Sequence, residues 1–287
     1  MNNHPVIDQI IKTGILPEIP KFFGETLNLL LDPDTYSVDT CIDKILSYPE
    51  LEAKLIDALN NSARLNRSVN SIREAVVYLG PKNSRIIAIS YISKLLVPYR
   101  GNAKIFSSRR YWNHCVGTAI AGEMIAEETG LSNKDKIFTY GLVHDIGVTV
   151  LDNCMPDQLD QVYNRQMKGL HQIAAEKIVL QGITHAEIGG WFCGVCGLSS
   201  EVIDIVRYHH SPFLIKEQSD EVKIMHLADS ISTNYYEKLL GNETNLIYSE
   251  RVRSEIKLST DFIEEVSREL PDRVDRFNQT IGSLLYM

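Results

Sequence analysis

Histidine and aspartate, placed where helical patterning asks for apolar or small residues, carry most of the chemistry available to this sequence. His114 falls on one face with Thr118, Ala121 and Ile125, because residues three or four apart line up on a helix. His144 closes the nearly all-apolar run from Ile137 to Val143 and shares its face with Ile137 and Gly141. Asp145 comes next, about 100° further round if the helix continues. His185 opens a segment carrying Ala186, Ile188 and Gly189, and His209-His210 closes one whose inner face holds Val202, Ile205 and Val206. Asp229 follows Leu227 and Ala228 inside the apolar stretch from Met225 to Ile231.

A carboxylate in apolar surroundings is costly unless its charge is compensated. Imidazole nitrogen with carboxylate oxygen, and no thiolate, suits Fe, Mn, Co, Ni or Zn as a divalent ion. Seven such side chains exceed one ion's share beside water, so the set admits one ion or two bridged by Asp145. In a hydrolytic reading Asp145 is ligand and proton acceptor, and His185 or His210 supplies the acid. The bland reading stays open beside this one. Each histidine alone fits a hydrogen-bonded core residue, and His209-His210 fits a helix C-terminus facing its dipole. The two carboxylates, which need partners, tip the set toward a metal.

Other polar residues say less. Cys193 and Cys196 lie one turn apart on an apolar helix with no second pair, which favours packing over zinc or redox chemistry. His226, three residues before Asp229, is either its hydrogen-bond partner or exposed. Arg207, the nearest arginine on the His209 helix, is expected to face solvent. His4 and His171 carry no signal.

The elements that must position these groups are helices. Strand signatures are missing, so the fold class is all-α. Expected helices span Phe22 to Leu31, Val38 to Leu46, Leu51 to Leu59, Ser71 to Leu79 and Asn83 to Leu96, with Gly80-Pro81 ending the fourth. The polar stretch Pro98 to Arg110 reads as a connection between two helical halves. Longer helices follow: Trp112 to Thr129, Lys134 to Gly147, Gln172 to Gln181, Thr184 to Cys196, Ser199 to His210 and Glu221 to Leu240. A last one runs from Pro271 to the end with Val274, Phe277, Ile281 and Leu284 as its stripe. The division is 1–100, 101–240 and a helical extension over 241–287.

The formal charge of −8 disfavours direct nucleic-acid binding, which needs clustered cations, yet leaves room for a phosphate-bearing ligand held by metal. No apolar run reaches membrane-spanning length, and the N-terminus, with Asp8 early, lacks a signal-peptide pattern. Five cysteines without framework spacing fit a reducing cytoplasm.

The ordered motifs Trp112-Asn113-His114, Gly141-Leu142-Val143-His144-Asp145-Ile146-Gly147, His185-Ala186-Glu187-Ile188-Gly189 and His209-His210-Ser211-Pro212 resemble the HD superfamily of metal-dependent phosphohydrolases. Leu16-Pro17-Glu18-Ile19-Pro20, Tyr48-Pro49-Glu50-Leu51, Asn60-Asn61-Ser62-Ala63, and Ile72 with Ala75, Leu79 and Gly80 narrow the resemblance to the HDOD branch, from about Leu16 to Pro212. It implies two helical subdomains, the second an HD-type bundle, and a bacterial, cytoplasmic signalling role. Residues matching His114, His144, Asp145 and Asp229 hold a metal in the superfamily. Those matching His185, His209 and His210 complete a second site in the related HD-GYP phosphodiesterases. A nucleotide or other phosphate ester is the implied ligand, and a signalling protein the implied partner. Two departures stand out: Val148 replaces a Lys after the His-Asp-x-Gly, and Ser211-Pro212-Phe213 replaces the Gly-Tyr-Pro segment. They bear on cyclic-dinucleotide hydrolysis and not on metal binding, and three functions stay open: a regulatory metal-binding protein, a working phosphohydrolase and a purely structural helical scaffold.

Overall fold

Thirteen helices are seen among the described residues of this chain, in a computed structural model that describes residues 4–16, 37–47, 68–96, 102–217, 219–239 and 246–279 together with isolated positions between 24 and 60. In order they are α1 (Pro5–Lys12), α2 (Val38–Leu46), α3 (Ile72–Leu96), α4 (Ser108–Thr129), α5 (Lys134–Val143), α6 (Ile146–Cys154) and α7 (Pro156–Gln166). Then come α8 (Gln172–Val179), α9 (His185–Val195), α10 (Ser200–Tyr208), α11 (Asp220–Leu239), α12 (Glu250–Glu255) and α13 (Thr260–Phe277). No strand occurs among the described residues.

Local chemistry explains most boundaries. Ser107 caps α4 by accepting from the Arg110 amide, and Gly130 closes it in the left-handed conformation at φ 64°. Asn133 caps α5, accepting from the amides of Asp135 and Lys136. Thr184 and Glu187 form a reciprocal capping box that starts α9 at His185. Gly80 has φ 79° and ψ 158°, and it kinks α3 where a break was expected.

Helix α4 is central. From Cys115 to Ala126 all residues but Glu123 are buried, and α5, α11 and α13 pack around it. Helix α9 lies against α6 and α10, and α8 against α7. The stretch expected as a connector is held by the helices beyond it. Asp152 accepts from the Ala103 amide at 3.0 Å, and Asp160 accepts from those of Lys104 and Ile105 at 2.9 Å each.

Three expectations need correction. The helix expected from Lys134 to Gly147 is two helices, α5 and α6, separated at His144-Asp145. Helix α7, begun by Pro156, has no counterpart in the sequence reading. The last helix starts at Thr260 rather than Pro271, which lies inside it. There the buried stripe Ile263, Val266, Leu270 and Val274 runs straight past the proline. Continuous apolar burial outweighs the proline's cost of about 3 kcal/mol. The expected helices over 22–31 and 51–59, the landmarks at 17–20, 48–51 and 61–63, the connector's first residues and the stripe at 281–284 lie mostly or wholly outside the described residues.

Candidate metal centre

Five helices and the turn between two of them deliver the seven side chains to one place. His114 comes from the first turns of α4, and His144 is the C-cap of α5. Asp145, with φ −98° and ψ 16°, leaves the helical path. That turn steers α6 into backbone contact with α9: a Cβ on Gly147 would lie 2.0 Å from the His185 carbonyl oxygen and 2.8 Å from the Gly189 nitrogen. On the other side of the turn, a Cβ on Gly141 would lie 2.4 Å from the Ala119 Cα, so α5 sits equally close on α4. His185 is the first residue of α9, His209 the C-cap of α10 with His210 just beyond, and Asp229 lies within α11.

The carboxylates sit among the imidazoles. Asp145 Oδ1 is 3.1 Å from His185 Nε2, 3.5 Å from His209 Nε2 and 3.6 Å from His144 Nε2, while its Oδ2 is 3.4 Å from His114 Nε2. Asp229 Oδ1 is 3.2 Å from His114 Nε2 and 3.7 Å from His144 Nε2, and its Oδ2 is 3.3 Å from His210 Nδ1. His144, His185 and His209 are fully buried, whereas the side chains of His114 and His210 are 15% and 21% exposed, so the centre opens on one side. Donor atoms of Asp145, His185, His209 and His210 lie within 4.8 Å of one another, as do those of His114, His144 and Asp229.

Hydrogen bonds at the outer edge of each ring fix which nitrogen faces inward. His144 Nδ1 lies 2.8 Å from the Gly141 carbonyl and His209 Nδ1 2.9 Å from the Val206 carbonyl. A carbonyl only accepts, so both Nδ1 atoms carry the hydrogen. His185 Nδ1 donates to Glu176, whose oxygens are 2.7 and 2.8 Å away. His114 Nδ1 is 3.2 Å from Ser232 Oγ, which spends its own proton on the His114 carbonyl. In the neutral ring each of these four histidines therefore turns an Nε2 lone pair toward carboxylate oxygens. His144 Nε2, His209 Nε2 and Asp145 Oδ1 are buried and, among the described residues, have no hydrogen-bond partner. Lone pairs facing lone pairs in a dry interior repel, and a cation between them removes the repulsion. The residues fit a metal ion: Asp145, His185, His209 and His210 form one group able to hold one, and His114, His144 and Asp229 form another.

The electrostatics agree. Burial alone would raise Asp145 and Asp229, but the surrounding imidazoles hold both well below the usual carboxylate range. Burial disfavours charge on His114, yet Asp145 and Asp229 outweigh it and carry that ring up to about 9. His185 is likewise raised well above an ordinary imidazole, burial being overcome by Glu176 and Asp145. His209 and His210 are depressed, by burial first and then by neighbouring imidazoles. Without an ion, protons on some rings must do what a metal would do.

Three residues behave differently from expectation. Arg207 faces solvent only in part: the residue is half-buried, its Nε is buried, and a Cβ on Gly190 would lie 2.9 Å from that atom, so the side chain packs across α9. His226 supports the His209 segment rather than Asp229, its Nδ1 lying 2.8 Å from the His209 carbonyl. Glu176 was missed. Its stretch, Gln172 to Val179, reads as an ordinary amphipathic helix, and Glu176, which reaches His185 at the start of α9, is 1% exposed. The cysteine pair fits packing: Cys193 and Cys196 are buried thiols, raised well above the ordinary range in the first case and to about 12 in the second.

An all-helical chain with a buried His/Asp cluster able to hold a metal is the class that fold and site define. A model of the HDOD domain family matches residues 16–212, and the chain belongs to that family. No curated protein matches it. Among solved structures it is similar to an HDOD domain protein of unknown function from Geobacter sulfurreducens, 23% identical, with 98% of this chain and 96% of that one covered at a TM-score of 0.64. It is also similar to a Shewanella amazonensis SB2B protein named as a candidate phosphohydrolase, 18% identical over 98% and 97% of the two chains, TM-score 0.67. A Marinobacter aquaeolei VT8 protein named for signal transduction is 19% identical over 99% of this chain and 66% of that one, TM-score 0.78. At these identities the likeness shows a common fold.

Proposed function

We propose that this chain is a regulatory HDOD protein of the cytoplasm whose seven-residue centre binds one or two divalent ions from Fe, Mn, Co, Ni and Zn. In this reading it signals through contacts with a protein partner, with a nucleotide or other phosphate ester as the ligand that reaches the ion. The observation that carries it is the inward set of Nε2 lone pairs around Asp145, with buried His144 Nε2, His209 Nε2 and Asp145 Oδ1 unpartnered among the described residues. Regulation is favoured over turnover because every ion pair of Asp145 and Asp229 among the described residues is with a histidine. No lysine or arginine is among those partners. Val148, where the resemblance places a lysine, is 4% exposed and part of the apolar core.

A second reading, metal-dependent phosphohydrolase, is favoured by the one-sided opening at His114 and His210. A bound ion would supply an acidified water and charge for the phosphate oxygens. In that reading Asp145 accepts a proton, and one of the later histidines, His185 or His210, gives one to the leaving oxygen. Metal analysis of protein prepared in reductant without chelators, followed by turnover assays on phosphodiesters and nucleotides with Mn²⁺ or Fe²⁺, separates the readings. Stoichiometric metal without turnover is the expected outcome. Turnover abolished by Asp145→Ala establishes the second reading, and metal-free protein rejects both.

A further inference from the structure

One ligand is supported differently from the rest. His144 and His209 lean on backbone carbonyls and His114 on a serine hydroxyl, but His185 leans on a full carboxylate. Glu176 reaches it from α8, nine residues earlier in the chain. Besides taking the His185 Nδ1 hydrogen, Glu176 Oε2 accepts from the His185 backbone amide at 2.9 Å, and Oε1 accepts from Gln172 Nε2 at 3.0 Å. The carboxylate is 1% exposed, and its ion pair among the described residues is with His185.

Burying a carboxylate with only an imidazole as counter-charge is expensive. A neutral acceptor would orient the ring equally well, as the carbonyls of Gly141 and Val206 do for His144 and His209. What a carboxylate adds is negative charge, passed through the ring to Nε2, which makes His185 the stronger electron donor. The consequence falls on one donor set. Asp145 and Asp229 each touch rings of both sets, but only the set of Asp145, His185, His209 and His210 has, among the described residues, a further buried carboxylate, Glu176, behind one of its rings.

We infer that Glu176 is a positioning residue that makes the two ion positions unequal, so that the position at Asp145 and His185 holds its divalent ion more tightly than the position at His114 and Asp229. This rests on the metal-centre reading above. A neutral partner at His185 would level the two positions.

Titration of metal-free full-length protein with Co²⁺, followed by its visible bands and by calorimetry, reads the two positions separately. Wild type binds in two steps of different affinity. Glu176→Gln keeps a carbonyl oxygen for the Nδ1 hydrogen and removes the charge, and it weakens the tighter step by roughly ten- to a hundredfold while leaving the weaker step unchanged. Circular dichroism shows whether the variant is folded. Should it not fold, Gln172→Leu, which takes away one donor to Glu176 and a 3.5 Å contact to His185 Nδ1 but none of the candidate metal donors, decides: a weakening of the tighter step alone supports the inference. Two equal steps in wild type, or steps that weaken together or not at all in the folded variant, overturn it. Absence of Co²⁺ binding in wild type fails the metal-centre reading instead.

Discussion

Helices α4 and α5 carry charge at both of their ends, and the two ends follow opposite rules. At one end Lys82 on α3 pairs with Glu123 of α4 and with Asp135 of α5, the latter at 3.2 Å, over the Phe138 ring. These side chains are 42%, 21% and 39% exposed, and Lys82 and Glu123 line an open cleft with Ile86, Ile120, Arg273 and Phe277. At the other end His114 and His144 face Asp145 and Asp229 in a nearly dry interior. The first group is complete as it stands, each charge having an opposite partner and water. The second is incomplete, because His144 Nε2, His209 Nε2 and Asp145 Oδ1 are buried there with no hydrogen-bond partner among the described residues. A polar cluster therefore points to a ligand when burial leaves its atoms unpaired, and the number of charges in it says little.

Predictions follow the size of that contrast. The largest effect belongs to Asp145→Ala, which touches donors of both sets. It abolishes stoichiometric metal, read by elemental analysis, and in the metal-free protein it costs about 3 kcal/mol or more by stranding buried imidazolium groups. Retained metal would erase the distinction between the two ends.

Next is Gly147→Ala. The added methyl meets the His185 carbonyl oxygen and must push α6 from α9. A loss on the order of 2 kcal/mol, read by thermal or urea unfolding, is expected together with weaker metal binding. Unchanged stability would mean that the close approach is relaxed in solution.

The pH dependence is third. His114 titrates near 9 in the metal-free fold, above its ordinary value, so its stabilising contribution is complete below about 6.5 and disappears as pH rises through 9. Asp145 and Asp229 are depressed, so theirs is present above about 4 and is lost on acidification. Metal-free protein should lose stability on both flanks. A bound ion replaces the His114 proton, which removes the alkaline flank and releases protons on binding below pH 9, measurable by calorimetry in two buffers.

Lys82→Ala is the smallest. An exposed pair is worth about 0–1 kcal/mol, so unfolding shifts little and metal content not at all.

The same contrast explains what could be read from the sequence. His144-Asp145 was legible because seven residues of apolar helix precede it, leaving the pair no polar face to occupy. His114, His185 and Asp229 were legible for the same reason, and the structure brings all seven candidates together. The break at Asp145 was hidden, since a contact between Gly147 and the His185 carbonyl is a tertiary fact that local propensity does not encode. Glu176 was hidden because Lys177 follows it and Gln172 lies one turn before it, on a helix whose inner face is set only by docking. The half-burial of Arg207 was hidden because Gly190, on a different helix, makes the room it occupies.

The most direct test of the central claim is the X-ray absorption spectrum of the protein loaded with Co²⁺. Histidine and aspartate ligation predicts nitrogen and oxygen neighbours at roughly 2.0–2.2 Å, with the outer-shell scattering of several imidazole rings and no sulfur. A sulfur shell near 2.3 Å would move the ion to the cysteines, and an all-water shell would leave the buried cluster without one. Either result contradicts the account.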